Sequence, residues 1–161
     1  MIFKIFNTEI DYDFSILDKD FVFIISSYNN QDYVNKNLES VLNQTYNRWR
    51  IIYIDDASTD ETLKNVELFI SNNNIQDKVT LIKNEVNMKQ AYNRFNAYKL
   101  CDDFEIICFL DGDDWLYDNN VLEKVNSEYK NSDILLTYGS YIELINDNQR
   151  FILSNKIEPK I

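Results

Sequence analysis

Four short, mainly apolar runs lie at regular intervals along the chain, and each has the length of a β-strand. They cover residues 21–26, 50–54, 79–83 and 104–110 and are rich in β-branched and aromatic residues. Continuous apolarity, in contrast to an alternation of apolar and polar residues, is typical of strands covered on both faces. We therefore predict a buried strand at each run.

Between these runs, apolar residues recur at the spacing that places them on one face of a helix. In the four predicted helices these apolar residues are Val34, Leu38, Val41 and Leu42; Leu63, Val66, Phe69 and Ile70; Ala91, Tyr92, Phe95 and Leu100; and Val121, Leu122 and Val125. Ser58 or Thr59 is the predicted N-cap of the second helix. Residues 134–144 predict one or two further strands, and residues 1–20 predict an edge strand or a packed leader.

The regular alternation of strands and helices indicates an α/β fold. We expect a three-layer α/β/α sandwich with a mostly parallel central sheet of the Rossmann-like kind, because right-handed crossovers place helices on both faces. The length of 161 residues suits one domain, and no repeat or Pro- and Gly-rich linker divides the sequence.

The composition excludes several kinds of site. There is no His, and the two glycines, Gly112 and Gly139, cannot build a GxGxxG or Walker phosphate loop. The chain has 16 Lys and Arg against 27 Asp and Glu, and a net charge of −11 argues against a nucleic-acid or anionic-membrane partner. We recognise no signal peptide or membrane-spanning run, so we expect a soluble, cytoplasmic chain.

Polar clusters directly follow three of the predicted strands. They lie at residues 26–30, 55–60 and 111–115. Ligands of open parallel sheets bind outside the carboxyl ends of the strands. We therefore expect the three clusters to meet at one edge of the sheet and to form the binding site.

The third cluster, Asp-Gly-Asp-Asp, has the chemistry of a cation site. Asp111 and Asp113 are two residues apart, so they project to the same side of an extended segment, and Asp114 follows. Such carboxylates suit Mg²⁺ or Mn²⁺, which would bridge to a diphosphate and offset the acidic charge. A solvated turn or a helix N-cap is the alternative interpretation.

Three further side chains are candidates for contacts with a nucleotide. Asp56, or its neighbour Asp55, can accept the N–H of a pyrimidine ring, or else cap the following helix. Tyr28 can stack on a base, or else pack in the core or at the rim. Arg94 can meet a phosphate or a base carbonyl, or else pair with a nearby acid.

Taken in order, these motifs resemble a known family. A strand followed by SYN, a helix ending in ESVLNQTY, a strand followed by DDASTDET, then KNEVN, and a strand leading into LDGDDWL are similar to the family 2 glycosyltransferases of GT-A fold. The resemblance runs from Phe21 to Gly139. It implies a nucleotide-sugar donor, most often UDP-linked, a divalent metal, and transfer to an acceptor hydroxyl with inversion.

The resemblance also assigns roles to individual residues. It implies nucleotide-binding roles for Ser26, Tyr28, Asp56, Arg94 and Asp111, and metal-binding roles for Asp113 and Asp114. Asp56 matches the acid that bonds to the base, and Asp113 matches the metal-binding end of the DxD motif. Lys89 stands where the family commonly has Gly, so Lys89 itself is a candidate phosphate contact.

The expected catalytic base is missing from this pattern. In inverting members of the family it is an Asp or Glu of the acceptor-binding half, farther along than Ile161. We therefore expect residues 21–161 to be a donor-binding domain that lacks the base and most of the acceptor site. The acceptor is a glycan, a lipid-linked glycan or a protein, and a C-terminal domain or a homo-oligomer is a candidate partner.

Two other functions stay open. The chain can be a non-catalytic nucleotide-sugar-binding module of a longer protein, in agreement with the missing base. FLDGDDW also resembles the opening motif of haloacid-dehalogenase-like phosphatases, but Trp115 stands where that family needs a small hydroxyl residue.

Overall fold

The structure is a computed structural model that describes residues 2–5, 8–11, 18–139, 141–145 and 148–152. The elements in chain order are β1 (Ile2–Ile5), β2 (Thr8–Asp11), β3 (Asp20–Ser27), α1 (Val34–Leu42), β4 (Trp49–Asp55), α2 (Thr62–Asn73), β5 (Val79–Lys83), α3 (Gln90–Tyr98), β6 (Glu105–Asp111), α4 (Val121–Glu128), β7 (Tyr141–Ile145) and β8 (Asn148–Ile152).

Four of the strands form a parallel sheet with the order β5-β4-β3-β6. All four coincide with the predicted apolar runs to within two residues. Strand β3 is central, and its last residues lie beside the last residues of both neighbours: Ser27 is paired with Asp55 and Ser26 with Asp111. The register therefore brings all three strand ends to one edge of the sheet.

Each face of this sheet packs against helices. Alternate residues of a strand point to opposite faces. Phe21, Phe23 and Ile25 of β3 join one core cluster with residues of α1, α2 and α4, whereas Val22 and Ile24 join a second cluster that includes Ala97 of α3. Strands β3 and β4 are apolar at consecutive positions because both of their faces are buried. The prediction of a buried strand is wrong for the two outer strands, since β5 has no buried residue and Phe109 of β6 is 55% exposed. The three-layer α/β/α prediction is confirmed.

The predicted apolar face of α3 is wrong. Tyr92 and Phe95 are 49% and 61% exposed, and Leu100 lies beyond the end of the helix. The buried residues of α3 are Asn93 and Ala97. The helix turns a partly polar face towards the sheet, because the inward Asn93 bonds to Ser26 at the end of β3 while Ala97 packs in the apolar cluster.

Two other local predictions differ from the structure. Residues 134–139 are not in a strand, and the strand that follows, β7, pairs antiparallel with β8. Strands β1 and β2 pair antiparallel with each other and not with an outer strand of the four-stranded sheet. Residues 12–17 of the predicted leader lie outside the described residues. None of the described helices has the length and apolarity needed to cross a membrane.

Candidate functional site

The three predicted polar clusters meet at the carboxyl edge of the sheet. The main chain links them directly: the Asp56 N–H donates to the Ser27 carbonyl at 2.8 Å, and the Gly112 N–H donates to the Ser26 carbonyl at 3.2 Å. Each link joins the residue after one strand to the end of the neighbouring strand. The expectation that the clusters share one edge is therefore confirmed.

The first two loops are bonded to each other by side chains. The Ser58 hydroxyl accepts the Asn29 N–H at 3.0 Å, and the Asn29 carboxamide oxygen accepts the Thr59 N–H at 2.8 Å. The predicted N-cap role of Ser58 and Thr59 is wrong, because these residues bridge two loops. The Thr62 N–H at the start of α2 is bonded instead to the carboxylate of Asp60.

Asp56 is a buried carboxylate, 3% exposed, with several donors directed at it. One oxygen accepts the Asn84 side-chain amide at 2.7 Å and the Met88 N–H at 2.8 Å, and the other accepts the Lys89 N–H at 2.9 Å. Burial by itself raises the pKa of Asp56, but these hydrogen bonds outweigh it and hold the pKa below its ordinary value. Asp56 is therefore an ionised anchor for the segment that leads into α3.

Lys89, the residue before α3, has a strained backbone. Its φ of 71° and ψ of 155° lie in a region that glycine adopts readily and other residues rarely do. Its N–H is the one held by the Asp56 carboxylate. The hydrogen bonds to Asp56 stabilise this turn, although the side chain present at 89 disfavours it.

A chain of amides connects Asp56 to Ser26. The Asn84 amide that bonds to Asp56 also donates to the Asn93 oxygen at 2.8 Å, and the Asn93 amide donates to the Ser26 hydroxyl at 3.2 Å. Sequence reasoning missed Asn84 and Asn93. The available signal was an Asn within the KNEVN motif, together with a second Asn on the inward face of a helix.

Arg94 and Asp111 form an ion pair. The Arg94 guanidinium is 2.6 Å from Asp111 Oδ1, the same oxygen that accepts the Gln90 side-chain amide at 2.6 Å. Both partners are partly exposed, and the guanidinium also lies over the Phe109 ring, 4.9 Å from its centre. Pairing with a nearby acid was one of the two interpretations of Arg94, and helix α3 thereby contacts the Asp-Gly-Asp-Asp loop.

The Asp-Gly-Asp-Asp loop is a tight turn against β3. The Asp114 N–H donates to the Asp111 carbonyl at 3.1 Å. A Cβ added to Gly112 would lie 2.6 Å from Cβ of Ser27 and 2.8 Å from the Asn30 amide nitrogen, both well inside normal contact. Position 112 therefore requires glycine, because any side chain would push the turn away from the sheet.

The acidic residues of this loop lie close enough to affect one another. Burial, followed by the nearby carboxylates of Asp113 and Asp111, raises the pKa of Asp114 above its ordinary value. Among the described residues, no three His, Cys, Asp or Glu side chains cluster as a metal site. Mg²⁺ commonly uses one or two protein carboxylates and completes its shell with water and phosphate. Asp113 and Asp114 are both exposed at this turn and are therefore candidates for a site of that kind.

Two aromatic residues flank the site. Tyr28 is 46% exposed, so the interpretation that places it in the core is wrong, and the ring is available at the rim. Trp115 is half-buried beside the acidic loop, with the Lys36 ammonium 3.6 Å from its ring centre. Packing is therefore a sufficient explanation for Trp115.

Comparison with known proteins agrees with this geometry. The sequence profile of Glycosyl transferase family 2 matches residues 22–157. The chain is 33% identical over 137 residues to UDP-Glc:alpha-D-GlcNAc-diphosphoundecaprenol beta-1,3-glucosyltransferase WfgD of Escherichia coli, covering 83% of this chain and 51% of that protein. It is 28% identical over 133 residues to an uncharacterized glycosyltransferase of Haemophilus influenzae, covering 83% and 40% respectively.

Solved structures show the same fold. The crystal structure of S. aureus TarS in complex with UDP-GlcNAc matches with a TM-score of 0.58 and 27% identity, over 66% of this chain and 30% of that one. The Pyrobaculum calidifontis mannosyltransferase PcManGT, in complex with GDP-Man and Mn²⁺, matches with a TM-score of 0.62 and 19% identity, over 78% and 35%. The chain thus spans about half or less of the length of these proteins. On the profile match and the GT-A architecture, this chain belongs to Glycosyl transferase family 2.

Proposed function

We propose that this chain binds a UDP-linked sugar at the carboxyl edge of its sheet and acts in the metal-dependent transfer of that sugar to an acceptor hydroxyl. The observation that carries the proposal is the convergence of Ser26, Asp56 and the Asp111–114 loop at one edge, in a chain of this family. Residues 21–161 are the donor-binding domain in this proposal.

Asp56 and its neighbours would recognise the nucleobase. Asp56 Oδ2 accepts the Lys89 N–H, and in this proposal it would also accept a second donor such as the ring N–H of uracil. Ser26, held by the Asn93 amide, offers its hydroxyl close by, and Tyr28 offers an exposed ring for stacking. The E. coli relative, whose name specifies UDP-glucose, supports a uridine donor.

Asp113 and Asp114 would hold the divalent cation, Mn²⁺ or Mg²⁺, together with the diphosphate. Such a cation supplies charge neutralisation to the departing nucleoside diphosphate. Arg94, which pairs with Asp111, would orient that carboxylate beside the ribose or the donor sugar, and Lys89, which is exposed, would contact phosphate. In this way an acidic protein can accept a ligand with two phosphate groups.

The transfer itself would proceed with inversion: an acceptor hydroxyl would form a bond to the anomeric carbon while the bond to the nucleoside diphosphate breaks on the opposite side, and the hydroxyl proton would pass to a general base. No residue of this chain is assigned as the general base. The name of the E. coli relative includes a diphosphoundecaprenol-linked sugar, which favours a lipid-linked glycan over a protein as the acceptor in this proposal.

Thermal unfolding with UDP, GDP, CDP and TDP, each with and without Mn²⁺, tests the donor site. A ligand at about 100 times its Kd stabilises the folded state by roughly 2.7 kcal/mol. For a chain of this size that corresponds to a rise in Tm of roughly 5–10 °C. We expect the rise with UDP and Mn²⁺ and its loss in Asp113→Asn, whereas Asp77→Asn, an exposed control, keeps it. The absence of a shift with every nucleotide would refute the proposal.

Turnover distinguishes the transferase from a non-catalytic binding module. The transferase assignment predicts slow hydrolysis of a UDP-sugar even without an acceptor, detected as UDP release. Tight UDP binding without any hydrolysis would favour the binding module.

A further inference from the structure

The acidic loop and the segment after it are bonded to one polar stripe of α1 and the turn that follows. The stripe consists of Asn37, Ser40 and Gln44, spaced three and four residues apart, and thus on one side of the helix. All three bond to main-chain groups of residues 111–122, a segment without helix or strand between Gly112 and Asn120.

Asn37 makes the contacts closest to the candidate metal site. Its side-chain amide donates to the carbonyl of Asp111 at 2.9 Å and to the carbonyl of Asp114 at 2.7 Å. These two residues are the ends of the turn that the Asp114 N–H closes onto the Asp111 carbonyl. One amide group therefore holds both ends of the turn that presents Asp113.

The other two side chains hold the rest of the segment. The Ser40 hydroxyl accepts the Leu116 N–H at 3.1 Å. The Gln44 amide donates to the Asp118 carbonyl at 2.7 Å, and its oxygen accepts the Leu122 N–H at 3.0 Å. The segment is thus fixed at intervals along most of its length.

Apolar packing does not explain why an Asn occupies position 37. Asn37 is fully buried on the inward face of α1, between the core residues Val34 and Val41. Its Oδ1 atom is buried without a hydrogen-bond partner among the described residues. A buried amide oxygen without a partner destabilises the fold, so an apolar residue would pack better here. The amide offsets this destabilisation with the two hydrogen bonds that it donates to the loop.

We propose that Asn37 is a positioning residue that fixes the Asp111–114 turn in the conformation that binds a divalent cation together with a nucleoside diphosphate. This inference rests on the proposed function. Without the amide, the turn would lose both side-chain contacts to α1 and would have to be ordered by the ligand, at the expense of affinity. The side chains proposed to contact the nucleobase are held by other groups: the Asp56 carboxylate by Asn84, Met88 and Lys89, and the Ser26 hydroxyl by Asn93.

Calorimetric titration of UDP, with and without Mn²⁺, tests the inference in Asn37→Ala and in Asn35→Ala. Asn35 lies on the exposed face of the same helix, so its substitution is the matched control. We expect Asn37→Ala to weaken UDP binding about tenfold in the presence of Mn²⁺, the effect of two lost hydrogen bonds, and less than twofold in its absence. Asn35→Ala should change neither affinity.

Two results would overturn the inference. One is an unchanged Mn²⁺-dependent affinity in Asn37→Ala; the other is an equal loss with and without metal, which indicates a general structural role. If Asn37→Ala does not fold, Asn37→Ser, which keeps one hydrogen-bond donor, serves instead, with a smaller loss again confined to the Mn²⁺ titration. If the unaltered protein binds UDP with no effect of Mn²⁺, the proposed metal dependence itself is wrong, which the wild-type titration reveals by itself.

Discussion

Replacement of Asp56 by Asn tests whether this carboxylate organises the edge of the sheet. The buried carboxylate accepts hydrogen bonds from Asn84, Met88 and Lys89. An amide of the same shape keeps one acceptor oxygen, but its NH₂ group must face at least one of these donors. One charge-assisted hydrogen bond is lost, its donor is left unpaired, and the remaining bonds weaken from charged to neutral. Each such change contributes about 1–3 kcal/mol, so we expect Asp56→Asn to lower the free energy of unfolding by about 2–4 kcal/mol.

The pH dependence of this difference identifies its cause. The pKa of Asp56 is lowered in the folded protein, so folding favours the ionised form. That contribution is complete above about pH 4, the pKa range of an Asp in an unfolded chain, and it is lost as the pH falls through the lower folded pKa. The gap in stability between the wild type and Asp56→Asn should therefore be constant near neutrality and narrow below about pH 4.

Urea denaturation at a series of pH values measures this gap. Asp77→Asn, at an exposed position, is the control and should stay within about 0.5 kcal/mol of the wild type. Other acidic groups titrate in the wild type and in the variant alike, so the difference between them isolates Asp56. A loss below about 0.5 kcal/mol at pH 7, or a gap that widens on acidification, would refute the assigned role.

Three more substitutions test other parts of the site. Gly112→Ala should lower the free energy of unfolding by about 1–3 kcal/mol through overpacking against β3, measured by urea denaturation, whereas Gly139→Ala, with nothing within 4 Å of the added methyl, should be neutral. Lys89→Gly should raise the free energy of unfolding by about 1 kcal/mol because it relieves the positive φ; a destabilised variant would contradict the strain. Arg94→Ala breaks a partly exposed ion pair and should change stability by less than about 1 kcal/mol, yet weaken UDP-sugar binding about tenfold in calorimetry, while Arg48→Ala, an ion pair at the opposite end of the sheet, should leave binding unchanged.

The sheet could be predicted because the residues that define each strand and its end are adjacent in the sequence. Strands β3 and β4 are buried on both faces, so their sequences are continuously apolar. The polar residues that follow them mark the strand ends. Parallel order then dictates that these ends meet at one edge. The positions of Asp56 and Asp111 in the sequence and the alternation of strands and helices were sufficient to predict that both residues lie at the same edge.

The failures lie where polar contacts between distant residues replace apolar packing. Helix α3 points Asn93 inward because Ser26 and Asn84 offer partners there, and those partners lie up to 67 positions away. Ser58 bonds to Asn29 across a loop, so it is not free to cap α2. Asn37 was not recognised, because a buried amide that serves main-chain carbonyls has no periodic pattern in the sequence.

In the proposed function, the carboxyl edge of the sheet binds a nucleoside diphosphate through Asp56 at one end and Asp113 at the other. A crystal structure of the protein with UDP and Mn²⁺ tests it most directly. We expect the uracil ring within hydrogen-bonding distance of the Asp56 carboxylate and the metal on the carboxylate of Asp113, with the diphosphate between them. UDP bound elsewhere, or a metal that contacts neither Asp113 nor Asp114, would contradict it.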